Sequence, residues 1–164
     1  IDYSTYGTST TIDVSGYLGA PSIIGSAFDD RILDNAQSNT MTGGDGADEF
    51  VINVLNANVL ATDADFVTDF TTNLDKLEVT LVDATGADQY SESVYADYNA
   101  FITDAAQQMM NGADEDNIVA GEIDGNTWVA LDMDGDDTPD TVIGLLGVTI
   151  SGPSGLDFAD FIVN

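Results

Sequence analysis

The sequence predicts an all-β domain carrying a single helix, and three observations carry that expectation. A nine-residue period runs from Gly7 to Val51, with a large apolar residue in the eighth place of each block: Val14, Ile23, Ile32, Met41 and Phe50. Near the C-terminus, apolar residues from Ile118 to Ile123 and from Thr127 to Met133 flank the turn-forming run Asp124-Gly125-Asn126, the mark of a tight hairpin. Between these regions, Glu92 to Asn111 places Val94, Tyr95, Tyr98, Phe101, Ile102, Ala105 and Met109 at spacings of three and four, the helical period.

The repeat is sharpest from Gly25 to Val51, read as GSAFDDRIL, DNAQSNTMT and GGDGADEFV. The last block fits G-G-x-G-x-D-x-U-x, U being a large apolar residue, through Gly43, Gly44, Gly46, Asp48 and Phe50. The first block keeps Gly25, Asp30 and Ile32, while the middle one keeps Met41 and has Asn39 in the aspartate's place. Glycines let the backbone take φ > 0 and turn carbonyls inward, and aspartate adds negative charge. Together they offer the all-oxygen shell that calcium prefers.

This nonapeptide resembles the calcium-binding repeat of RTX proteins. The resemblance implies a short parallel β-roll in which two nonapeptides make one coil, so that positions eighteen residues apart, such as Asp30 and Asp48, stack at about 4.8 Å on one edge. Ca2+ would sit between those turns, bound by Asp30 and Asp48, with Gly25, Ala27, Gly44, Asp45 and Gly46 supplying further oxygens. Asn39 would face the opposite edge at a weaker site. The blocks from Gly7 and Gly16 lack the aspartate and read as coils without calcium, with Pro21 at a turn and Ile1 to Tyr6 continuing from a preceding coil.

Composition narrows the partners. Among 164 residues, 30 are acidic and 2 basic, Arg31 and Lys76, for a formal charge of −28. Nucleic acid and anionic membrane both need Lys and Arg to neutralise phosphate, so neither is expected as a partner. Cations are. With 43% hydrophobic residues, the chain can bury a core once its charge is neutralised. The absence of Cys and His excludes structural zinc sites, Ser-His-Asp triads and thiol catalysis within these residues. No signal-peptide pattern opens the sequence, and no apolar run is long enough to be a transmembrane segment. The start at Ile1 without methionine suggests a longer parent chain.

Past Phe50 the period breaks into a longer strand, FVINVL, and a loop. Asp69, Phe70, Asp75, Lys76 and Leu77 then resemble the D-F-x4-D-K-L segment that follows the repeats in serralysin-type proteases and related RTX proteins. Lys76 serves either an ion pair with a nearby carboxylate or a solvated surface. The expected helix, about 92–111, has Ser91 or Ser93 as its cap and Gly112 as its stop, and its apolar stripe seals the open end of the roll. Asp132, Asp134 and Asp136 open like an EF-hand loop, but Asp137 falls where that loop needs glycine and Ile143 where it needs glutamate. The run more closely resembles the acidic hairpin near the end of serralysin-type and surface-layer RTX proteins, and whether it holds a second calcium stays open. The terminal Asp160, Phe161, Ile162 and Val163 resemble the tail read by type I secretion machinery, though they also fit an edge strand.

The expected organisation is a roll over 1–55 and a capping and secretion-signal region over 56–164, in one continuous domain. The function expected from the resemblance is non-enzymatic: a calcium-dependent folding, secretion and assembly module of a larger secreted protein, of surface-layer or filament type. It would act at the cell surface or beyond, with self-assembly between like subunits. The parent could instead be a serralysin-type protease or an adhesin. A hydrolase using paired carboxylates is the competing class, and a carboxylate pair in an aromatic-walled cleft would mark it. The tail is expected to be dispensable for calcium binding.

Overall fold

The computed structural model describes residues 1–52, 59–82, 90–110, 117–152 and 154–164. Within each repeat only the residues around the apolar position are extended, because glycine and aspartate favour turns. They form β1 (Thr11–Asp13), β2 (Ser22–Ile24), β3 (Arg31–Leu33), β4 (Thr40–Thr42) and β5 (Glu49–Ile52). The strand expected over FVINVL is thus seen as far as Ile52, and its remainder lies outside the described residues.

Successive repeat strands alternate between two sheets. β1, β3 and β5 are joined by β7 (Lys76–Val79) and β12 (Phe161–Val163) in a five-stranded sheet whose pairings are all parallel. β2 and β4 continue in parallel to β6 (Asp65–Val67), and β11 (Thr141–Leu145) adds to β6 in the same direction. β10 (Asn126–Leu131) and β9 (Ile118–Ile123) then pair antiparallel, and β8 (Tyr90–Val94) lies parallel to β9 at the far edge of this seven-stranded sheet.

The register follows the period and then outlives it. Ile23 pairs with Met41 and Ile32 with Phe50, one double repeat apart. Met41 then meets Val67 and Phe50 meets Leu77, so longer connections are tolerated while the apolar column is kept. The first rung differs from expectation: Ile12, not Val14, stands beside Ile32. Val14 remains buried and donates its N–H to the Leu33 carbonyl at 3.1 Å. Between the sheets these columns merge with Leu77, Val79, Val129, Leu131, Ile143 and Leu145 into the main core. Each fully buried side chain of this size contributes about 1.5–3 kcal/mol.

Helix α1 spans Tyr98–Met109, shorter than the expected 92–111. Glu92 to Val94 belong to β8, where β9 satisfies their backbone, and Asp97 rather than Ser91 or Ser93 is the cap, accepting from the Ala100 N–H at 2.9 Å. Gly112 lies outside the described residues. The helix covers a flank and not an end. Phe101, Ala105 and Met109 pack on Val119, Ala130 and Val142, the outward residues of the seven-stranded sheet. Gly121 makes this possible, since a Cβ there would collide with the Phe101 and Tyr95 rings.

The hairpin between β9 and β10 turns on two residues, Asp124 and Gly125, with φ of 51° and 76°. Asn126, expected in the turn, opens β10. The C-terminus is seated in the fold: β12 runs parallel to β7, and Asp157 caps the 3-10 turn Phe158–Asp160 before it. Although far from the repeats in sequence, the tail lies two strands from β5.

Candidate metal centre

Along one edge of the five-stranded sheet, carboxylates fasten each coil to the one before it. Asp30 Oδ1 accepts the Thr10 N–H at 2.7 Å, Asp48 Oδ1 accepts the Asp30 N–H at 2.8 Å, and Asp75 Oδ1 accepts the Asp48 N–H at 2.9 Å. Asp160 continues the series, accepting the Asn73 N–H at 2.6 Å. All four carboxylates are buried.

The second oxygens differ. Asp30 Oδ2 accepts from Ser26 N–H, and Asp75 Oδ2 from Thr71 N–H at 2.7 Å. Asp48 Oδ2 has no hydrogen-bond partner among the described residues. It lies against Gly43, where a Cβ would overlap it. Gly44 and Gly46 take φ of 107° and 126°, and a Cβ on either would strike the backbone of Ser26 or Phe28. The complete repeat therefore lies directly on the turn below it, with the Ser26 and Phe28 carbonyls in the contact. Gly25 is equally tight, against the Gly43 carbonyl and Asp30. Ala27 and Asp45, named from the resemblance, are exposed within their turns.

Burial, above all, pushes the Asp48 carboxyl up to about 6, with the charges of Asp75, Asp30 and Asp69 adding to it and the Asp30 N–H working against it. Burial likewise raises Asp75. Neither basic residue is committed to this edge's orphan. Arg31 contacts Glu49 and Glu78, whereas Lys76 donates to the Ala159 carbonyl at 2.7 Å and stands 3.8 Å from Asp160, the ion pair that was one of its two expected roles. An orphaned carboxylate oxygen beside stacked carbonyls, with no nitrogen or sulfur ligand at hand, fits a hard cation such as Ca2+.

The opposite edge is built differently. Asn39 is fully buried, and its Nδ2 donates to Gln37 O at 2.8 Å, Asn35 Oδ1 at 3.0 Å and Asn35 O at 3.3 Å. Asn35 in turn donates to the Tyr17 and Gly19 carbonyls at 2.8 and 3.1 Å. Amide N–H groups thus satisfy the turn oxygens here. The Asn39 N–H donates to Asp65 Oδ1 at 2.7 Å, which repeats the coil-to-coil link of the first edge.

Asp132, Asp134 and Asp136 bring carboxylate oxygens within 4.8 Å of one another in the β10–β11 loop. Asp132 is buried and accepts from Gly135 N–H at 2.8 Å and Asp137 N–H at 3.1 Å, so both its oxygens are engaged in shaping the loop. Desolvation within the loop, then the charges of Asp140 and Asp136, raise the carboxyl of Asp134, which is exposed at the surface.

Sequence reading passed over Asp65 and Asp75 as ladder residues because neither stands in a glycine-bearing nonapeptide. A signal was present: each precedes an inward apolar residue by two, as in Asp65-Phe66-Val67 and Asp75-Lys76-Leu77, the same D-x-U as Asp48-Glu49-Phe50. Asp69, named only as the first residue of the D-F-x4-D-K-L segment, accepts the Gly43 and Gly44 N–H groups at 2.9 Å each.

No family model matches the chain, and no curated protein matches it. Among solved structures it is similar to the solution structure of the AlgE6R3 subunit from the Azotobacter vinelandii mannuronan C5-epimerase, at 16% identity and a TM-score of 0.47, over 98% of this chain and 82% of that one.

Proposed function

We propose that the chain is a calcium-dependent folding module of RTX type, its alternating strands forming a parallel β-roll. The observation that carries this reading is the Asp48 carboxylate, buried with one oxygen unpartnered and the other accepting the Asp30 N–H, while the Asp48 N–H donates to the Asp75 carboxylate of the next link. Two unit charges about 5 Å apart at an effective dielectric near 20 repel by roughly 3 kcal/mol, a sizeable share of the stability of an ordinary domain. Asp30 and Asp48, with oxygens of the turns that carry Gly25, Ala27, Gly44, Asp45 and Gly46, would hold Ca2+. Bound there, it would supply the positive charge that turns repulsion between coils into attraction.

The module acts outside the cell as a non-enzymatic part of a larger protein exported by type I machinery, of surface-layer or filament type. At low calcium the acidic chain stays loose, as export requires, and it folds where calcium is plentiful. Neither of two described cavities pairs an acid with an aromatic wall. One of about 280 Å³ beside Asp30 and Glu49 has no aromatic wall, and one of about 370 Å³ beside Phe70 and Thr149 has no acid.

Circular dichroism in chelator and in millimolar calcium, with calorimetric titration, tests the reading. The expected result is loss of the folded spectrum in chelator and its return on adding calcium. A folded spectrum in chelator that calcium leaves unchanged would overturn it.

A further inference from the structure

We propose that the tip of the β9–β10 hairpin is a site of spontaneous covalent modification, where Asp124 and Gly125 rearrange to isoaspartate through a succinimide. No residue of the roll edges takes part, so this inference and the calcium reading stand or fall separately. The Gly125 nitrogen attacks Cγ of the protonated Asp124 carboxyl, the N–Cγ bond forms, and one water leaves as a five-membered imide closes. Water then adds to the imide's other carbonyl, that of the Asp124 main chain, and the bond from that carbon to the Gly125 nitrogen breaks. The main chain now runs through Cγ, and the former main-chain carbonyl has become a free carboxyl. The water lost is regained, so neither mass nor charge changes.

The reaction needs an attacking nitrogen that is unhindered and free to move, which glycine after aspartate supplies. The sequence has three Asp-Gly pairs, at 45–46, 124–125 and 134–135, and all three aspartates are exposed. The structure separates them by what holds the glycine. At Gly46 a Cβ would stand 2.6 Å from the Phe28 carbonyl carbon, and the next N–H, of Ala47, donates to Asp29 Oδ1 at 2.9 Å, so this segment is wedged on the coil below. The Gly135 N–H donates to Oδ1 of buried Asp132 at 2.8 Å, and the Asp134 N–H to Asp140 Oδ2 at 3.0 Å. The Gly125 N–H has no acceptor among the described residues, and a Cβ there would meet nothing within 4 Å beyond its chain neighbours.

The backbone adds a second difference. A two-residue hairpin turn of this hand needs φ > 0 at both central residues, and Asp124 accordingly sits at 51°. That region is unfavourable for a residue with a Cβ. Asp45 and Asp134 are not among the residues with positive φ. Isoaspartate carries one more methylene in its main chain and is released from the demand, so rearrangement relieves strain at Asp124 that the other two aspartates do not bear. The lengthened turn no longer matches the Asn126–Ile123 pair that closes the ladder, and it displaces Asn126, whose Oδ1 accepts the Gly147 N–H at 2.9 Å.

The full chain, with its fold checked by circular dichroism, is aged for weeks at neutral pH beside a sample in denaturant. Isoaspartate is then quantified site by site through peptide mapping with electron-transfer fragmentation, which tells the two isomers apart. The Asn111-Gly112 pair is read separately, because deamidation of asparagine adds mass and isomerisation of aspartate does not. In denaturant the three Asp-Gly pairs should react at similar rates. In the folded chain, position 124 should react at least tenfold faster than 45 or 134, and Gly125→Ala, whose methyl crowds the attacking nitrogen, should slow it at least tenfold. A folded chain in which Asp45 or Asp134 reacts as fast as Asp124 would overturn the proposal, as would a rate at Asp124 that Gly125→Ala leaves unchanged. The comparison of the three sites within wild type needs no variant to fold.

Discussion

The backbone N–H of Asp30 donates to Oδ1 of Asp48 at 2.8 Å, across a sequence separation of 18 residues. One carboxylate therefore reports on two things at once: the vertical register of the coils and the charge buried between them. Asp48 Oδ2 has its place only because Gly43 of the same repeat carries no side chain, while Gly44 and Gly46 let that turn lie on Ser26 and Phe28 below.

Asp48→Asn keeps the shape and the acceptor for Asp30 but removes the charge. The calcium needed for half-maximal folding should rise at least tenfold, and the protein in chelator should become no less stable. Titration followed by far-ultraviolet circular dichroism checks this. An unchanged calcium requirement would show that the ion does not use Asp48.

Acid should partly replace calcium. The folded-state carboxyls of Asp48 and Asp65 are raised from 3.8 to about 6 and about 7, so the folded state holds protons that the unfolded chain has released. Their contribution is fully present below about pH 4 and is lost as pH rises through 6 to 7. In chelator the denaturant midpoint should thus be higher at pH 5 than at pH 8. In excess calcium this advantage of acid should shrink or reverse, since protons and metal compete for the same oxygens. Paired urea titrations at the two pH values would reveal either outcome.

Asp160→Ala strips acceptors from the Asn73 and Asp157 N–H groups and the partner from Lys76. Losing two part-buried bonds to a charged carboxylate costs about 1–3 kcal/mol, most of it as easier unfolding of β12 from β7. Deleting 157–164 should go further and impair calcium-induced folding. A truncated chain that folds at the wild-type calcium concentration would show that β12 is an ornament on the sheet.

Gly46→Ala should be far costlier than Gly125→Ala, although both glycines have positive φ, 126° and 76°. At Gly125 nothing lies within 4 Å, so the cost is the left-handed backbone alone, about 1 kcal/mol. At Gly46 a Cβ would stand 2.6 Å from the Phe28 carbonyl carbon, and backbone cannot move aside. The measured difference in thermal midpoint between the two variants, in the same calcium, is the check.

Asn39→Asp replaces three amide donations with a carboxylate facing the oxygens of Asn35 and Gln37. In chelator it should be less stable than wild type by about 1–3 kcal/mol. Calcium should recover part of that loss. Equal stability of the two proteins in chelator would mean that the amide's bonds contribute nothing.

The sequence by itself determined the columns and the turns. Ile23, Ile32, Met41 and Phe50 could be placed on two alternating faces because a nine-residue repeat with glycine and aspartate in its turns leaves room for only one short strand. Asp30 and Asp48 could be stacked by counting alone. Tertiary structure decided what counting cannot reach. Ile12 took the first rung from Val14, and Asp65, Asp75 and Asp160 entered the ladders from loops of other lengths, because a buried carboxylate bonds to whichever backbone N–H lies opposite it in space. The helix went to a flank, where Gly121 had cleared space for Phe101, and the tail became a strand because β7 still had an open edge. Periodicity is a local property and is written in the chain. The partner of a buried polar group is set by packing between distant segments, and no local pattern records it.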